Sequence, residues 1–530
     1  MRLINLRPAV ERHLRQRMEA FRDGFRHNLA LIGPPRSGKT FQLQQVLAQP
    51  PEGMFFIYAP LYHESSHALL TRLLQAILGA AVGGPAEQLL EDRLRMARER
   101  SARMAPALAA IEGLLSRRLV GDALTRALDL IPILVEERGQ PCVLILDEFL
   151  CLESSGVSHV FHELGKRVMT WPTVLFVLCS SSPFLARAIL RERLQLLFGQ
   201  FELLELEALQ DPPMVAWLRQ ELRGLRGAAT LSLFLVDWMG TSPWYLTVFL
   251  ARLKELAVLQ RAAEVTPALF LQAAWDVLGN AEGALHQWCV SRTTPLGRNQ
   301  VTGRCLEVLA QIAGGARTTT ELGKRVGRAG LAVALQLLQE HDLAQRNGTC
   351  WVIPDPLLRC WLATGLWTQR GDPSLASPEA RRRFEQSLEG LWDRWVRARQ
   401  LSFCEQMADL FARFREETVS LDHKIGRLPA FSAIRTEVRE PSAGVYLIAE
   451  GPGKHWCCSI VEQPVTEPAI AAFEEFCRDQ SPKPSRKVVI APAGLDANAR
   501  VLAKAASMWV WEQRELDVLL GLYSQQPMPG

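Results

Sequence analysis

Apolar and polar positions change rhythm along this chain. From Met1 to about Leu206, short apolar runs alternate with longer amphipathic stretches, the pattern of an α/β fold. Strands are predicted at Asn28 to Ile32, Met54 to Ala59, Cys142 to Leu146, Thr173 to Cys179 and Phe201 to Leu206. Most of these runs are short and rich in Val, Ile, Leu and Phe, as in strands buried on both faces of a parallel sheet. The long stretch after the second strand is helical, rich in Leu, Ala, Arg and Glu.

From about Pro212 to Val290 the chain becomes helical. Next come Val301 to Ile312, Thr318 to Val326 and Leu331 to Glu340, then short strands at Leu343 to Gln345 and Thr349 to Ile353. That order predicts a winged helix-turn-helix. Gly371 to Pro378 reads as a linker. A helical segment follows, Arg381 to Arg415, and then a small α/β unit. Its strands lie near Gly444 to Ala449, Trp456 to Val461 and Lys487 to Ala491, with a helix at Pro468 to Arg478. The expected division is therefore a core over 1–210, a helical lid over 211–295, a winged helix over 296–370 and the α/β unit over 371–530.

Composition adds limits. A chain of 530 residues, 48% hydrophobic and 22% charged, is a folded protein of several domains. The net charge of +4 gives no strong basic field, so nucleic-acid binding needs a local patch. Eleven cysteines without a CxxC pair argue against a disulfide framework or zinc ribbon and for a reduced, cytoplasmic protein. The N-terminus has no apolar signal core. The longest apolar candidate, Leu231 to Leu253, is broken by Asp237, Gly240 and Pro243, so no membrane span is expected.

Two motifs carry chemistry. Gly33-Pro34-Pro35-Arg36-Ser37-Gly38-Lys39-Thr40 matches GxxxxGK[ST] between a strand and a helix. Such a loop turns backbone N–H groups toward phosphate oxygens. Lys39 then reaches the β and γ phosphates, and the Thr40 hydroxyl serves Mg²⁺. The second motif, Val143-Leu-Ile-Leu-Asp147-Glu148, runs an apolar strand to two acids at its carboxyl end, where open α/β sheets place ligands. Asp147 is the candidate Mg²⁺ partner and Glu148 the candidate general base. Acids after strands also serve as helix N-caps, but the upstream loop favours chemistry. The fourth strand ends in Ser180-Ser181-Ser182. Ser180 or Ser181 is a candidate sensor of the γ phosphate, and a plain helix N-cap suits the same serines equally.

These residues resemble the archaeal-type ATPases, AAA+-like P-loop proteins related to the signal-transduction ATPases with numerous domains. The resemblance extends to Gly240-Thr-Ser-Pro243-Trp-Tyr245-Leu246, similar to the family's GxPxYL element, and to Ile353-Pro-Asp355-Pro356-Leu-Leu-Arg-Cys-Trp361, similar to its DP…W stretch. It covers most of residues 1–370. It implies an ATP-driven switch, often coupled to DNA or to a partner protein, and an AAA+-like fold whose site is usually completed by a second subunit. Adenine preference rests on the resemblance alone.

The chain departs from the family at its fifth strand. There the family's GR pair reads Gly199-Gln200, and Gln cannot neutralise phosphate charge. Arg191 and Arg193 are nearby substitutes. Slow hydrolysis, or a scaffold that holds ATP with little turnover, is thus the alternative to a motor.

Related proteins often end in a PD-(D/E)XK nuclease-like domain, and the C-terminal unit resembles its skeleton, with Glu405 on the leading helix. The first acid position matches Tyr446. The second offers Ser459 or Glu462 without an acid-x-Lys, so an inactive relic is expected.

The third helix of the winged segment carries Gln336 and Gln339 but no Lys or Arg. Lys324, Arg325, Arg328 and Arg346 lie around it, a thin footprint for duplex DNA. Trp238, Trp244, Trp361, Trp392, Trp395, Trp456, Trp509 and Trp511 sit mostly at core spacing rather than as base-stacking platforms.

Overall fold

The computed structural model describes residues 5–85, 88–155, 157, 159–192, 201–207, 209, 211–296, 300–369, 378–421, 424–438 and 445–523. Arg193, Gly199, Gln200 and most of the expected linker lie outside them. Two compact units emerge. One holds Met1–Trp217 with Thr241–Trp244 and Glu340–Asp342; the other holds Leu218–Gly240, Tyr245–Gln339 and Leu343–Gly530.

The first unit is built on a five-stranded parallel sheet in the order β2-β3-β4-β1-β5. Its strands are β1 (Asn28–Ile32), β2 (Phe55–Pro60), β3 (Cys142–Asp147), β4 (Val174–Ser180) and β5 (Phe201–Glu205). The three inner strands are buried at every position, as continuous apolar runs require. The edge strands differ from the expectation of two buried faces. β2 alternates buried and half-buried residues, and β5 is partly exposed, because each has a sheet neighbour on one side only.

Two helices cover one face: α1 (Pro8–Arg22), which the pattern of apolar residues did not announce, and α2 (Lys39–Ala48). Leu14, Met18, Leu43 and Val46 meet Leu29, Leu31, Val143, Ile145, Leu175 and Val177 there. Helices between Ser66 and Arg138 cover the other face, against Ile57, Leu144, Leu146, Phe176 and Leu178. Alternation along β3 therefore fixes where Asp147 points. It shares the face of Val143 and Ile145, toward α2.

The apolar run at Leu231 to Leu253 forms two helices, Ala228–Met239 and Pro243–Leu259, parted at Gly240. Among the described residues no helix is long and apolar enough to cross a membrane. Helices Gln300–Ala313, Thr319–Val326 and Leu331–Glu340 lead into a hairpin of β6 (Gln345–Asn347) and β7 (Cys350–Val352). The helical segment expected from Arg381 to Arg415 consists of two helices, Pro378–Gln400 and Phe403–Ala412. Ser402 caps the second in a reciprocal box with Glu405.

A second hairpin, β8 (Glu417–Leu421) with β9 (Lys424–Leu428), precedes a five-stranded mixed sheet ordered β10-β11-β12-β13-β14. That sheet comprises β10 (Ala433–Val438), β11 (Val445–Gly451), β12 (Lys454–Ile460), β13 (Arg486–Ile490) and β14 (Trp509–Trp511). β10 to β12 are antiparallel; β12 to β14 are parallel, joined through helices Glu467–Asp479 and Ala497–Ala505.

Candidate functional site

The loop from Gly33 to Thr40 leaves β1 and enters α2. Two glycines make it possible. A Cβ on Gly33 would stand 2.9 Å from the Leu206 carbonyl oxygen, and Gly38 holds φ at 96° as the residue before α2. The first-turn N–H groups of α2 have no intrahelical acceptor, so the loop and helix end suit an anion.

The Lys39 side chain is 4% exposed. Its ammonium donates to the carbonyls of Gly33 at 2.9 Å and Pro34 at 3.0 Å, closing the loop on itself. Arg36 adopts a left-handed φ of 61°, costly for a side-chain-bearing residue, and its guanidinium covers the Trp244 ring at 3.9 Å.

Two motifs more than a hundred positions apart meet at one oxygen. The Thr40 hydroxyl donates to Asp147 Oδ2 at 2.8 Å. Tyr58, on neighbouring β2, donates its hydroxyl to the same oxygen at 2.9 Å. Asp147 is 4% exposed, and its Oδ1 is buried without a hydrogen-bond partner. An unpaired buried carboxylate oxygen is costly unless something positive or protic joins it. Burial, with the charge of Asp147, pushes the Tyr58 phenol far up, so it stays a donor. Nothing in the sequence marks Tyr58: it is one aromatic in an alternating strand, and its role exists only through β2–β3 pairing.

Glu148 follows with a left-handed φ of 59°. Such strain in a non-glycine residue persists where the surroundings enforce it. Here its Oε2 accepts the Ser181 backbone N–H at 2.9 Å, tying the carboxylate to the end of β4. The Ser180 hydroxyl accepts the Ser182 N–H at 3.1 Å, a local turn before helix Pro183–Glu192. The structure thus brings Lys39, Thr40, Asp147 and Glu148 together at the carboxyl ends of β1, β3 and β4. The Ser180 hydroxyl is occupied by its own turn.

The two motifs of the resemblance outside the core also meet. The Tyr245 hydroxyl donates to Asp355 Oδ2 at 2.5 Å and accepts Trp288 Nε1–H at 2.8 Å. Asp355 Oδ1 caps helix Pro356–Ala363 through the Leu357 and Leu358 N–H groups. Gly240 is needed because a Cβ there would lie 2.9 Å from Pro356 Cγ. Trp361 and Trp238 are buried beside this contact. These residues build a core rather than a reacting surface.

Lys324, Arg325, Arg328, Arg346 and Gln336 are exposed. The β6–β7 hairpin, however, is engaged within its own unit. The Thr349 N–H donates to the Thr418 carbonyl at 2.8 Å, and the Thr418 N–H donates back to the Thr349 hydroxyl at 3.0 Å. Asn347 exchanges two bonds with Ser420, at 3.2 and 2.6 Å. Behind them, buried Glu417 accepts the Tyr523 hydroxyl at 2.7 Å and faces Arg317 at 3.6 Å.

In the C-terminal sheet Tyr446 and Ser459 are cross-strand partners, both buried. The Tyr446 ring stacks on Phe476 at 4.2 Å and on Phe473 at 5.7 Å. Glu405 accepts the Ser402 N–H and hydroxyl, which hold its carboxyl below the usual range, and Glu462 lies exposed past the end of β12. Among the described residues no three His, Cys, Asp or Glu side chains gather as metal ligands.

No family model matches the chain, and no curated protein matches it. Solved structures give weak likenesses. The Walker-type ATPase PABY2304 of Pyrococcus abyssi is similar with a TM-score of 0.46 at 17% identity, over 67% of this chain and 95% of that one. The ORC2 protein of Aeropyrum pernix, in its ADPNP–ADP complexes, is similar with a TM-score of 0.41 at 16% identity, over 73% and 95%. The RuvB Holliday junction branch migration motor of Thermotoga maritima is similar with a TM-score of 0.32 at 14% identity, over 65% and 91%. At these scores and identities the loop and its acids, rather than the likeness, carry a functional reading.

Proposed function

We propose that this chain is a P-loop ATPase that uses ATP binding and hydrolysis to switch its affinity for DNA or a protein partner. The observation that carries the reading is the Thr40–Asp147 bond at 2.8 Å, with Asp147 Oδ1 buried and unpaired beside it. A phosphate loop and a strand-end acid that converge on one point fit a Mg²⁺–nucleotide site.

In this reading the loop amides and Lys39 bind and orient the phosphates, with Lys39 exchanging its loop carbonyls for phosphate oxygens. Thr40 and Asp147 hold Mg²⁺, which neutralises phosphate charge when bound. Glu148, restrained through one oxygen by the Ser181 N–H, has its other oxygen for the proton of the attacking water. The division into core, lid, winged helix and nuclease-like unit belongs to the same proposal.

A second reading is a nucleotide-gated scaffold that binds ATP, turns it over little and holds a protein partner. The β6–β7 hairpin favours it, since its tip, through Asn347 and Thr349, is already hydrogen-bonded to β8.

Titration with a fluorescent ATP analogue, with and without duplex DNA, tests both readings. The switch predicts binding that Lys39→Ala abolishes and that DNA changes. Binding indifferent to DNA favours the scaffold, and no binding by the wild type contradicts both.

A further inference from the structure

Resting on that reading of the site, we propose that Tyr58 is a positioning residue for the metal-binding carboxylate: it holds Asp147 through Oδ2 so that Oδ1 is committed to the Mg²⁺ shell.

Strand register sets the geometry. Tyr58 pairs with Ile145 and Pro60 with Asp147 along β2 and β3. In a parallel pair, partners share a face, so Tyr58 lies on the face of Ile145 and Asp147, one alternation back from the acid. That places its hydroxyl at 2.9 Å from Oδ2. The neighbouring strand anchors the donor, and Phe56 and Tyr58 both pack against the buried cluster under α2.

Asp147 therefore has two hydroxyl donors on Oδ2 and no partner within hydrogen-bond range on Oδ1, with the buried Cys179 thiol also facing the carboxylate. A carboxylate free to rotate would share two donors between its oxygens, because leaving one buried and bare is unfavourable. Thr40 alone does not fix this asymmetry, since its hydroxyl oxygen is the one the loop offers to a cation. Tyr58 has no such second duty. Its hydroxyl is spent on Oδ2 alone, at 2.9 Å. Outer partners of ligating carboxylates set ligand orientation, and their loss typically lowers metal affinity by about 10–100-fold.

The test uses the full chain, a fluorescent non-hydrolysable ATP analogue and MgCl₂. Affinity is measured in EDTA and then across a Mg²⁺ titration. Tyr58→Phe removes one hydroxyl and keeps the ring. We expect its affinity in EDTA to match wild type while the Mg²⁺ midpoint rises about tenfold. Tyr58→Leu, as a second variant, raises the midpoint in the same direction. In an Asp147→Asn background Tyr58→Phe produces no further shift, because its effect passes through that carboxylate.

A Tyr58→Phe midpoint equal to wild type, or a shift of the same size in the Asp147→Asn background, overturns the proposal. A fall in EDTA affinity matching the change with Mg²⁺ assigns Tyr58 to packing and also overturns it. Failure of the wild type to bind the analogue is a different result, which removes the nucleotide reading itself.

Discussion

The guanidinium of Arg36 lies 3.9 Å over the Trp244 ring, while the backbone of the same arginine is held at φ 61°. Left-handed backbone costs a side-chain-bearing residue about 1–2 kcal/mol, and the ring contact returns about 0.5–1 kcal/mol. The loop thus accepts strain at a position where glycine would relieve it. Arg36→Ala and Arg36→Gly lose the same side chain, but only Ala keeps the strain. Chemical denaturation should find Arg36→Ala less stable than Arg36→Gly by about 1 kcal/mol. Equal stabilities would show that the loop relaxes freely at this residue.

Tyr245 and Asp355 explain two sequence motifs as one contact. Its hydroxyl both donates to the acid and accepts from Trp288, so Tyr245→Phe removes two hydrogen bonds from a part-buried contact. The expected loss is about 1–3 kcal/mol of unfolding free energy, measured by denaturant titration. ATP-analogue affinity at the loop should be unchanged. A variant as stable as wild type contradicts the structural role given to both motifs.

Gly348 sits at the tip of the β6–β7 hairpin, where a Cβ would come 2.0 Å from the Thr418 carbonyl oxygen. Gly453 offers a control, since its φ is 66°, close to the 61° of Gly348, with nothing within 4 Å. Gly453→Ala should cost only the conformational term of about 1–2 kcal/mol. Gly348→Ala should cost more and should speed hydrogen exchange at the Thr349 and Ser420 amides. Equal effects at the two glycines would mean that the hairpins do not depend on each other.

Much of the core was legible for a simple reason. β1, β3 and β4 are buried on both faces, and a doubly buried strand is a continuous apolar run. Gly33 to Thr40 was legible because spacing itself makes the loop. Elsewhere the signal was weak or misread. β9 and β10 carry charges along largely exposed strands, β8 begins with a buried Glu417 that reads as polar, and β14 has three residues. Ser402-x-x-Glu405 is a readable capping box, and Glu405, which the resemblance places on a nuclease-like helix, is spent on that cap. The pairings of Tyr58 with Asp147 and of Glu417 with Tyr523 are tertiary, and no local pattern encodes them.

Steady-state ATP turnover by the purified chain, beside Lys39→Ala and Glu148→Gln, decides whether the loop and its acids hydrolyse ATP. The expected result is Mg²⁺-dependent phosphate release that both substitutions abolish, with Glu148→Gln still binding ATP and Lys39→Ala not. Turnover that survives Glu148→Gln would contradict the role given to that carboxylate. No turnover by a wild type that binds ATP through Lys39 would contradict the ATPase and leave the nucleotide-gated scaffold.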